Sequence, residues 1–248
     1  MKKICLAIVV LLQSFWAMAQ VDAFTTNKGI LEIQPVYHGS LWMSWNNLRI
    51  AVDPYGGAER YQTMSAADII LITDIHGDHM DSSTLVKLNL TKATIIAPGA
   101  VRDRLIKFLS AEQKISVLAN GDSMELKGVK ISAIPMYNLP DSPNVRHPKG
   151  RGNGYVLNLG GKRVYISGDT EDIPEMRSLR SIDIAFLCMN KPYTMDVEQA
   201  ASATLAFRPA VVYPFHFRQP AGFSDIKEFA RLVKEGNQAI DVRLRTWY

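Results

Sequence analysis

Apolar positions divide the chain into a strand-rich first part and a second part in which strands and helices alternate. Short runs rich in β-branched and aromatic residues occupy 31–36, 41–45 and 48–52, and turn-forming residues separate them. This spacing predicts an antiparallel meander that ends at Asp53. The next run, 68–72, is apolar at every position after the first, which is typical of a strand covered on both faces.

The rest of the chain shows helical and strand periods in turn, after a polar start at 20–29 that is expected to be loose. The periodicity predicts helices over 81–90, 99–109, 197–207 and 224–234, and strands over 94–97, 115–118, 123–127, 130–134, 155–159, 162–166, 182–187, 210–213 and 242–245. This order favours an α/β (α+β) fold in which sheets lie between helical layers. With no obvious linker, 20–248 is predicted to form a single domain.

The first 19 residues have the pattern of a signal peptide. Lys2 and Lys3 precede a short apolar run, and small residues at Ala17 and Ala19 fit a cleavage site. The alternative is a membrane anchor, but the run is shorter than the roughly 20 apolar residues that span a bilayer. We therefore expect an exported protein, periplasmic or secreted, with no stable membrane anchor after cleavage.

Composition and charge narrow the function classes. A hydrophobic content of 47% is ordinary for a globular protein and excludes a disordered chain. Loss of the two leader lysines would lower the formal charge from +4 to +2. Since no dense basic block is interleaved with aromatic residues, nucleic acid is not expected as a partner. The oligomeric state is not readable from the sequence.

The segment 72–81 carries the strongest chemical signal. Its four candidate metal ligands, which fall within six residues directly after an apolar strand, are Asp74, His76, Asp78 and His79. Alternate residues of an extended chain share a side, and strand ends in layered folds are where sites form. Mixed imidazole and carboxylate donors suit Zn²⁺ best, with Fe or Mn as alternatives, in one or two ions. A solvated, charged turn is the competing interpretation.

Positions of the remaining histidines strengthen the metal hypothesis. His38, His147 and His216 each lie at the end of a predicted strand or in a loop, and none lies within a predicted helix. Asp169 follows the predicted strand 162–166 in a Gly-Asp-Thr turn. Its carboxylate could bridge two cations, or Asp169 or Thr170 could cap a helix over 173–179.

These motifs resemble the metallo-β-lactamase superfamily, whose signature is His-x-His-x-Asp-His. More narrowly, the chain is similar to the ascorbate-6-phosphate-lactonase-like branch of Zn-dependent hydrolases, on His38-Gly39-Ser40, Asp53-Pro54 and Tyr155 before Gly168-Asp169-Thr170. The resemblance covers about 33–216. It implies a four-layer αββα sandwich with the site at one edge of the two sheets.

The resemblance also implies a ligand set. One metal would be held by Asp74, His76 and a mid-chain donor, the other by Asp78, His79 and His216, and Asp169 would bridge both. Asp53 would orient a ligand by hydrogen bonds. In this sequence Asp74 stands where the signature has histidine. The mid-chain donor is either Asn138 or His147, of which His147 is preferred because imidazole binds Zn²⁺ better than a neutral amide.

The sequence therefore predicts a hydrolase that uses a metal-activated water on an ester, lactone or phosphoester. Asp78 would orient the nucleophile and take its proton, and His38 would act as an acid or as a partner of a ligand. The substrate is expected to be a small molecule. Lys149, Arg151 and Asn153 could recognise an anionic group if it has one, and a solvated loop is the competing and preferred interpretation of these residues. Two alternatives remain, a non-catalytic metal-binding or sensing module of the same fold and an iron-dependent oxidoreductase.

Overall fold

The computed structural model describes residues 20–248, in which two seven-stranded sheets stack between layers of helices. The strands are β1 (Asp22–Thr26), β2 (Gly29–Tyr37), β3 (Ser40–Trp45), β4 (Leu48–Val52), β5 (Ile69–Leu71), β6 (Thr94–Ala97), β7 (Lys114–Val117), β8 (Ser123–Leu126), β9 (Val129–Met136), β10 (Gly152–Leu159), β11 (Lys162–Ile166), β12 (Ile184–Cys188), β13 (Val211–Phe215), β14 (Arg218–Gln219), β15 (Gly222–Phe223) and β16 (Asp241–Val242). The helices are α1 (Ser82–Leu85), α2 (Gly99–Leu105), α3 (Pro174–Arg177), α4 (Val197–Phe207) and α5 (Ile226–Gly236), with a 3₁₀ turn at Ala58–Tyr61. The expected leader, 1–19, lies outside the described residues.

Each large sheet is half antiparallel and half parallel. The first runs β1-β2-β3-β4-β5-β6-β7, and its pairing changes from antiparallel to parallel at β4. The second runs β16-β13-β12-β11-β10-β9-β8, and the same change occurs at β11. Because parallel strands end at the same edge of a sheet, the loops after β4, β5, β11 and β13 are delivered to one place.

The alternation of buried side chains along β5 shows how the layers are held. Ile69 and Leu71 pack into the core between the sheets, whereas Ile70 and Ile72 pack into a second core under α1 and α2. Successive strand residues point to opposite faces, so a continuous apolar run serves both cores. The predicted αββα sandwich of the metallo-β-lactamase fold is confirmed.

Several local predictions need correction. Residues 22–26, expected to be loose, form β1, which pairs antiparallel with β2. The first helix ends at Leu85 rather than 90. Asp81 caps it, but Ser82-Ser83-Thr84 are weak helix formers because their hydroxyls compete for backbone bonds. The alternative that Asp169 or Thr170 caps a helix is wrong, since α3 begins at Pro174, which suits a first turn.

In the described part of the chain, no helix combines the length and the apolarity needed to cross a membrane.

A charged clasp joins the two sheets at the β1 end. Asp22 accepts hydrogen bonds from Arg243 at 2.9 Å, from Arg245 at 2.7 and 2.9 Å, and from the Tyr213 hydroxyl at 2.8 Å. Burial acts to raise the pKa of Asp22, but the bonds from Arg245 and Tyr213 outweigh it and hold the pKa below its ordinary value. The clasp fastens strand β1 of the first sheet to β13 and to the chain after β16.

Replacing Asp22 by Asn should lower the free energy of unfolding by about 2 kcal/mol at neutral pH, because the charge-assisted bonds are lost. A depressed carboxyl pKa contributes stability that is present above the unfolded value of about 3.9 and is lost as the pH falls through the folded value. The difference in the free energy of unfolding between parent and variant should therefore narrow below about pH 4. Urea unfolding at several pH values measures it, with the exposed Asp103→Asn as control. If this difference stayed unchanged down to about pH 3, the stability would not come from the ionised Asp22 carboxylate.

Candidate metal centre

Loops from both sheets meet at one edge of the sandwich. His38 lies in the turn between β2 and β3, Asp53 follows β4, and the segment 74–79 follows β5. From the second sheet, Asp169 follows β11 and His216 follows β13. His147 comes from the long loop between β9 and β10. The edge therefore gathers acids and imidazoles that are far apart in the sequence.

Strained backbone marks three of these positions. His38, Asp53 and His216 have φ of 57°, 42° and 47°, in the left-handed region that side-chain-bearing residues seldom adopt. Gly168, with φ of 61°, leads into Asp169. A Cβ there would lie 2.5 Å from the Met136 sulfur and 3.1 Å from a backbone carbonyl, so glycine alone permits this turn. The rest of the fold holds these conformations in place to aim the side chains.

An inner cluster consists of Asp78, His79, Asp169 and His216. The Nε2 atom of His79 lies 3.2 Å from Asp169 Oδ2. The Nε2 atom of His216 lies 3.4 Å from Asp78 Oδ2 and 3.5 Å from Asp169 Oδ1. All but Asp78 are buried. No lysine or arginine of residues 20–248 pairs with either carboxylate, so two negative charges face only imidazoles.

The protonation of His79 is set by what its other nitrogen contacts. Nδ1 lies 2.8 Å from Asp53 Oδ2, and Asp53 also accepts bonds from the backbone N–H and hydroxyl of Thr73. Because a carboxylate accepts, the proton sits on Nδ1 and donates to Asp53. With Nδ1 protonated, Nε2 is the nitrogen that can take either a second proton or a cation, and it points into the inner cluster. Asp53 occupies the orienting position that the resemblance implies.

His147 is oriented in the same way by an amide. The Asn138 amide nitrogen donates to Glu171 Oε1 at 3.1 Å and to the Tyr193 carbonyl at 2.8 Å, so its oxygen is the atom that faces His147. That oxygen lies 3.0 Å from His147 Nδ1. The Nε2 lone pair is directed to Asp169 Oδ2, at 3.3 Å. Of the two candidates for the mid-chain donor, the geometry favours His147, with Asn138 as its support.

Buried polar atoms without a hydrogen-bond partner indicate whether the centre can hold a cation. Within the described residues, Nε2 of His79, His147 and His216 and Oδ1 of Asp169 are buried without any hydrogen-bond partner. Buried polar groups without partners are costly. Two ligands on one tetrahedral Zn²⁺ lie about 3.3 Å apart, given metal–nitrogen bonds of about 2.0–2.1 Å. The observed separations of 3.2 to 3.5 Å match, so the inner cluster has the donors and the spacing for a divalent cation.

Electrostatics lead to the same conclusion. Burial acts to lower the pKa of His79, yet the carboxylates of Asp169, Asp78 and Asp53 raise it well above its ordinary value. Burial likewise acts to raise the pKa of Asp169, but His216 and His79 hold it well below the ordinary value. A site whose negative potential holds a proton so strongly also attracts a metal cation in the proton's place.

An outer cluster consists of Asp74, His76 and His147, whose donor atoms also lie within 4.8 Å of one another. His76 Nδ1 lies 2.7 Å from Asp74 Oδ2. Both Asp74 oxygens also accept from Arg151, Oδ1 from Nε at 3.1 Å and Oδ2 from Nη2 at 3.0 Å. Burial acts to raise the pKa of Asp74, but His76, His79 and Arg151 lower it to about 2. Asp74 is thus an ionised carboxylate that is already paired with the permanently charged guanidinium of Arg151.

A directed hydrogen-bond chain reaches the centre through His38. The backbone N–H of Arg218 donates to the Tyr248 oxygen at 3.1 Å, and that hydroxyl lies 2.8 Å from His38 Nδ1. Burial raises the pKa of Tyr248 and lowers that of His38 to about 4, so the phenol keeps its proton and the imidazole is neutral. Tyr248 therefore donates to Nδ1. The Nε2–H of His38 donates to Asp78 Oδ2 at 3.1 Å.

The structure brings all the sequence-predicted site residues into this one centre: His38, Asp74, His76, Asp78, His79, His147, Asp169 and His216. Their roles as ligands and catalytic groups stay predictions. The expected anion-recognition group is corrected. Asn153 is fully buried and bonded to Leu118, and Lys149 pairs with Glu175 at 2.6 Å. Sequence reasoning missed Tyr248, because nothing in the pattern near that position points to the site.

Replacing Tyr248 by Phe should remove the donor to His38 Nδ1 and leave the ring held only by its bond to Asp78. We expect turnover to fall about 10- to 100-fold, as for other groups that orient a ligand or its partner, with metal content unchanged. Nitrogen NMR of labelled histidine should show Nε2-protonated His38 in both proteins, because Asp78 still accepts from Nε2–H, with the Nδ1 resonance shifted in the variant by the loss of its donor. Tyr213→Phe, which loses a phenol in the distant clasp, is the control. An unchanged Nδ1 resonance of His38 in the Tyr248 variant would refute the chain.

Comparison with known proteins places the chain. The family model of the beta-lactamase superfamily domain matches residues 32–216. A UPF0173 metal-dependent hydrolase of Thermococcus onnurineus is 30% identical over 202 residues, which are 77% of this chain and 88% of that protein.

Solved structures show the same relationship. That of a metal-dependent hydrolase from Parabacteroides distasonis has 42% identity and a TM-score of 0.78, and the match covers 92% of this chain and 98% of the other. Igni18, a metallo hydrolase from Ignicoccus hospitalis, has 26% identity and a TM-score of 0.72, covering 87% and 94%. The ascorbate-6-phosphate-lactonase-like branch stays a prediction. The chain belongs to the beta-lactamase superfamily, among the metal-dependent hydrolases of the metallo-β-lactamase fold.

Proposed function

We propose that the protein hydrolyses an ester, lactone or phosphoester bond of a small molecule with one or two divalent cations, of which zinc fits best. The observation that supports this most directly is the convergence of three unpartnered imidazole nitrogens on the Asp169 carboxylate. Imidazole with carboxylate is the donor set of catalytic zinc sites. The two carboxylates of the inner cluster keep Fe and Mn as alternatives, since oxygen donors also suit them.

The chemistry divides between the cation and the residues around it. A bound divalent cation lowers the pKa of water from 15.7 to roughly 7 and polarises a carbonyl or phosphoryl oxygen. His79, His216 and Asp169, whose side chains are all buried, would hold that cation. Asp78 is the most exposed carboxylate of the inner cluster, at 33%, and so is the one that substrate and nucleophile can reach.

Asp78 is suited to orient the nucleophile. Burial acts to raise its pKa, but His79, His216 and His38 lower it far below the ordinary value, so the carboxylate stays ionised and accepts hydrogen bonds. His38 fixes its rotamer by donating to Oδ2, which leaves Oδ1 for the attacking group. His38 is thereby a positioning residue with a proton on the nitrogen that faces the centre.

The two basic side chains that the sequence suggested for anion recognition are already paired with acids. Arg151 is engaged by Asp74 and Lys149 by Glu175, so an anionic group on the substrate would have to displace one of these acids. Neutral esters and lactones are therefore the first choice, with phosphoesters next, because their oxygens can bind directly to a cation.

Replacing His79 or Asp169 by Ala should abolish both metal retention and turnover, because each removes a donor from the inner cluster. Elemental analysis of the purified protein, together with a panel of chromogenic esters, lactones and phosphodiesters, measures both. Asp183→Ala, which loses a carboxylate paired with Lys162 away from the centre, is the control. Full activity in either site variant would sink the proposal, and iron in the protein together with no hydrolysis of any substrate in the panel would support the oxidoreductase alternative instead.

The proposal also places the enzyme outside the cytoplasm. It is supported only by the leader pattern of 1–19, with its two lysines, apolar run and small residues before Gln20. Expression of the full chain in a Gram-negative host, followed by fractionation and N-terminal sequencing, should give a periplasmic protein that begins near Gln20. An uncleaved cytoplasmic chain would exclude this localisation.

A further inference from the structure

The inner and outer clusters differ in net charge although they share an edge. The inner cluster has the two carboxylates of Asp78 and Asp169 and only imidazoles around them. The outer cluster has the single carboxylate of Asp74, and the guanidinium of Arg151 neutralises it. A divalent cation therefore meets two uncompensated negative charges at one cluster and, apart from the shared Asp169, none at the other.

The ion pair between Arg151 and Asp74 has the geometry and the burial of a stable contact. It is bidentate, with Nε on Oδ1 and Nη2 on Oδ2, which is the strong planar geometry that arginine forms with a carboxylate. Asp74 is completely buried and the Arg151 side chain is only 20% exposed, so water screens the pair little. The guanidinium cannot lose its proton at any ordinary pH.

The position of the pair gives it a consequence for metal binding. Asp74 Oδ2, which accepts from Arg151, is the same atom that lies 2.7 Å from His76 Nδ1. A cation between His76 and His147 would share that oxygen with the guanidinium and would be repelled by its charge. By contrast, Asp169 Oδ1 of the inner cluster has no hydrogen-bond partner among residues 20–248, and no guanidinium reaches Asp78 or Asp169 there.

We propose that Arg151 is a built-in counter-charge that takes the place of a second cation, so that the protein binds one divalent cation tightly at the inner cluster and a second only weakly at the outer cluster. This inference rests on the proposed function, because it assumes that the inner cluster holds a cation. It assigns to Arg151 control over how many metal ions the centre carries. This would explain why position 74 is an aspartate where the superfamily signature has a histidine, since a carboxylate is needed to pair with the Arg151 guanidinium.

Isothermal titration of the chelator-treated full chain with Zn²⁺, and separately with Mn²⁺, tests the inference without any substrate. We expect one tight binding event and a second at least about tenfold weaker. His216→Ala should abolish the tight event, whereas His76→Ala should leave it intact. Two events of equal affinity in the parent, or loss of the tight event in the His76 variant, would overturn the inference while the metal centre itself still stood.

Arg151→Met removes the charge but keeps the length of the side chain and leaves Asp74 free. The second cation should then bind about 10- to 100-fold more tightly, the range for a change next to a metal ligand. Arg151→Lys keeps the charge and should leave the second event weak. Arg146→Met, in the same loop with its guanidinium 4.4 Å from the centre of the Tyr193 ring, is the matched control and should titrate like the parent.

Other outcomes are also decisive. An unchanged second event in Arg151→Met, or a Lys variant that behaves like the Met variant, would refute the counter-charge. If Arg151→Met fails to fold, Asp74→Asn serves in its place. It leaves the guanidinium unbalanced and should weaken the second event further, and a second event as tight as the first would refute the inference. Absence of any binding event in the parent would instead refute the proposed function.

Discussion

The structure of the centre depends on two buried or half-buried carboxylates that have no fixed cation of their own. Asp78 and Asp169 face the rings of His79 and His216 across 3.2 to 3.5 Å, and the imidazole lone pairs point at the acids rather than away from them. Neither a neutral ring nor water can neutralise that charge in a closed site. A metal ion satisfies the lone pairs and the charge together, which is why the unpartnered atoms and the raised pKa of His79 lead to the same conclusion.

Much of the surrounding fold serves to keep those lone pairs aimed. Asp53, Asn138 and Tyr248 each engage the Nδ1 atom of one histidine, so that Nε2 faces the centre in all three. Asp53 and Asn138 accept a hydrogen bond from Nδ1, whereas Tyr248 donates one to it. The difference in chemistry is functional, since His79 and His147 present lone pairs for a cation, whereas His38 presents an N–H to Asp78. Ring orientation is thus controlled one residue beyond the ligands.

The superfamily fold leaves the choice of reaction to details of this kind. Here the details separate an inner cluster of two acids from an outer cluster in which Arg151 cancels the charge of Asp74. The strained backbone at His38 and His216 and the tight turn at Gly168 keep this arrangement at one edge of two rigid sheets. Direct bonds between the loops, such as that from the His216 N–H to the His38 carbonyl at 3.2 Å, add to this rigidity.

The sequence by itself determined the layered fold, the strand-end positions of the histidines and the identity of the candidate ligands. These follow from local periodicity and from clusters such as Asp74–His79, which depend on near neighbours in the chain. It could not decide between Asn138 and His147, or show that Arg151 reaches Asp74 from 77 residues away and Tyr248 reaches His38 from 210. Such pairings arise only when the two sheets stack, because they depend on the direction of each side chain in space rather than on its position along the chain.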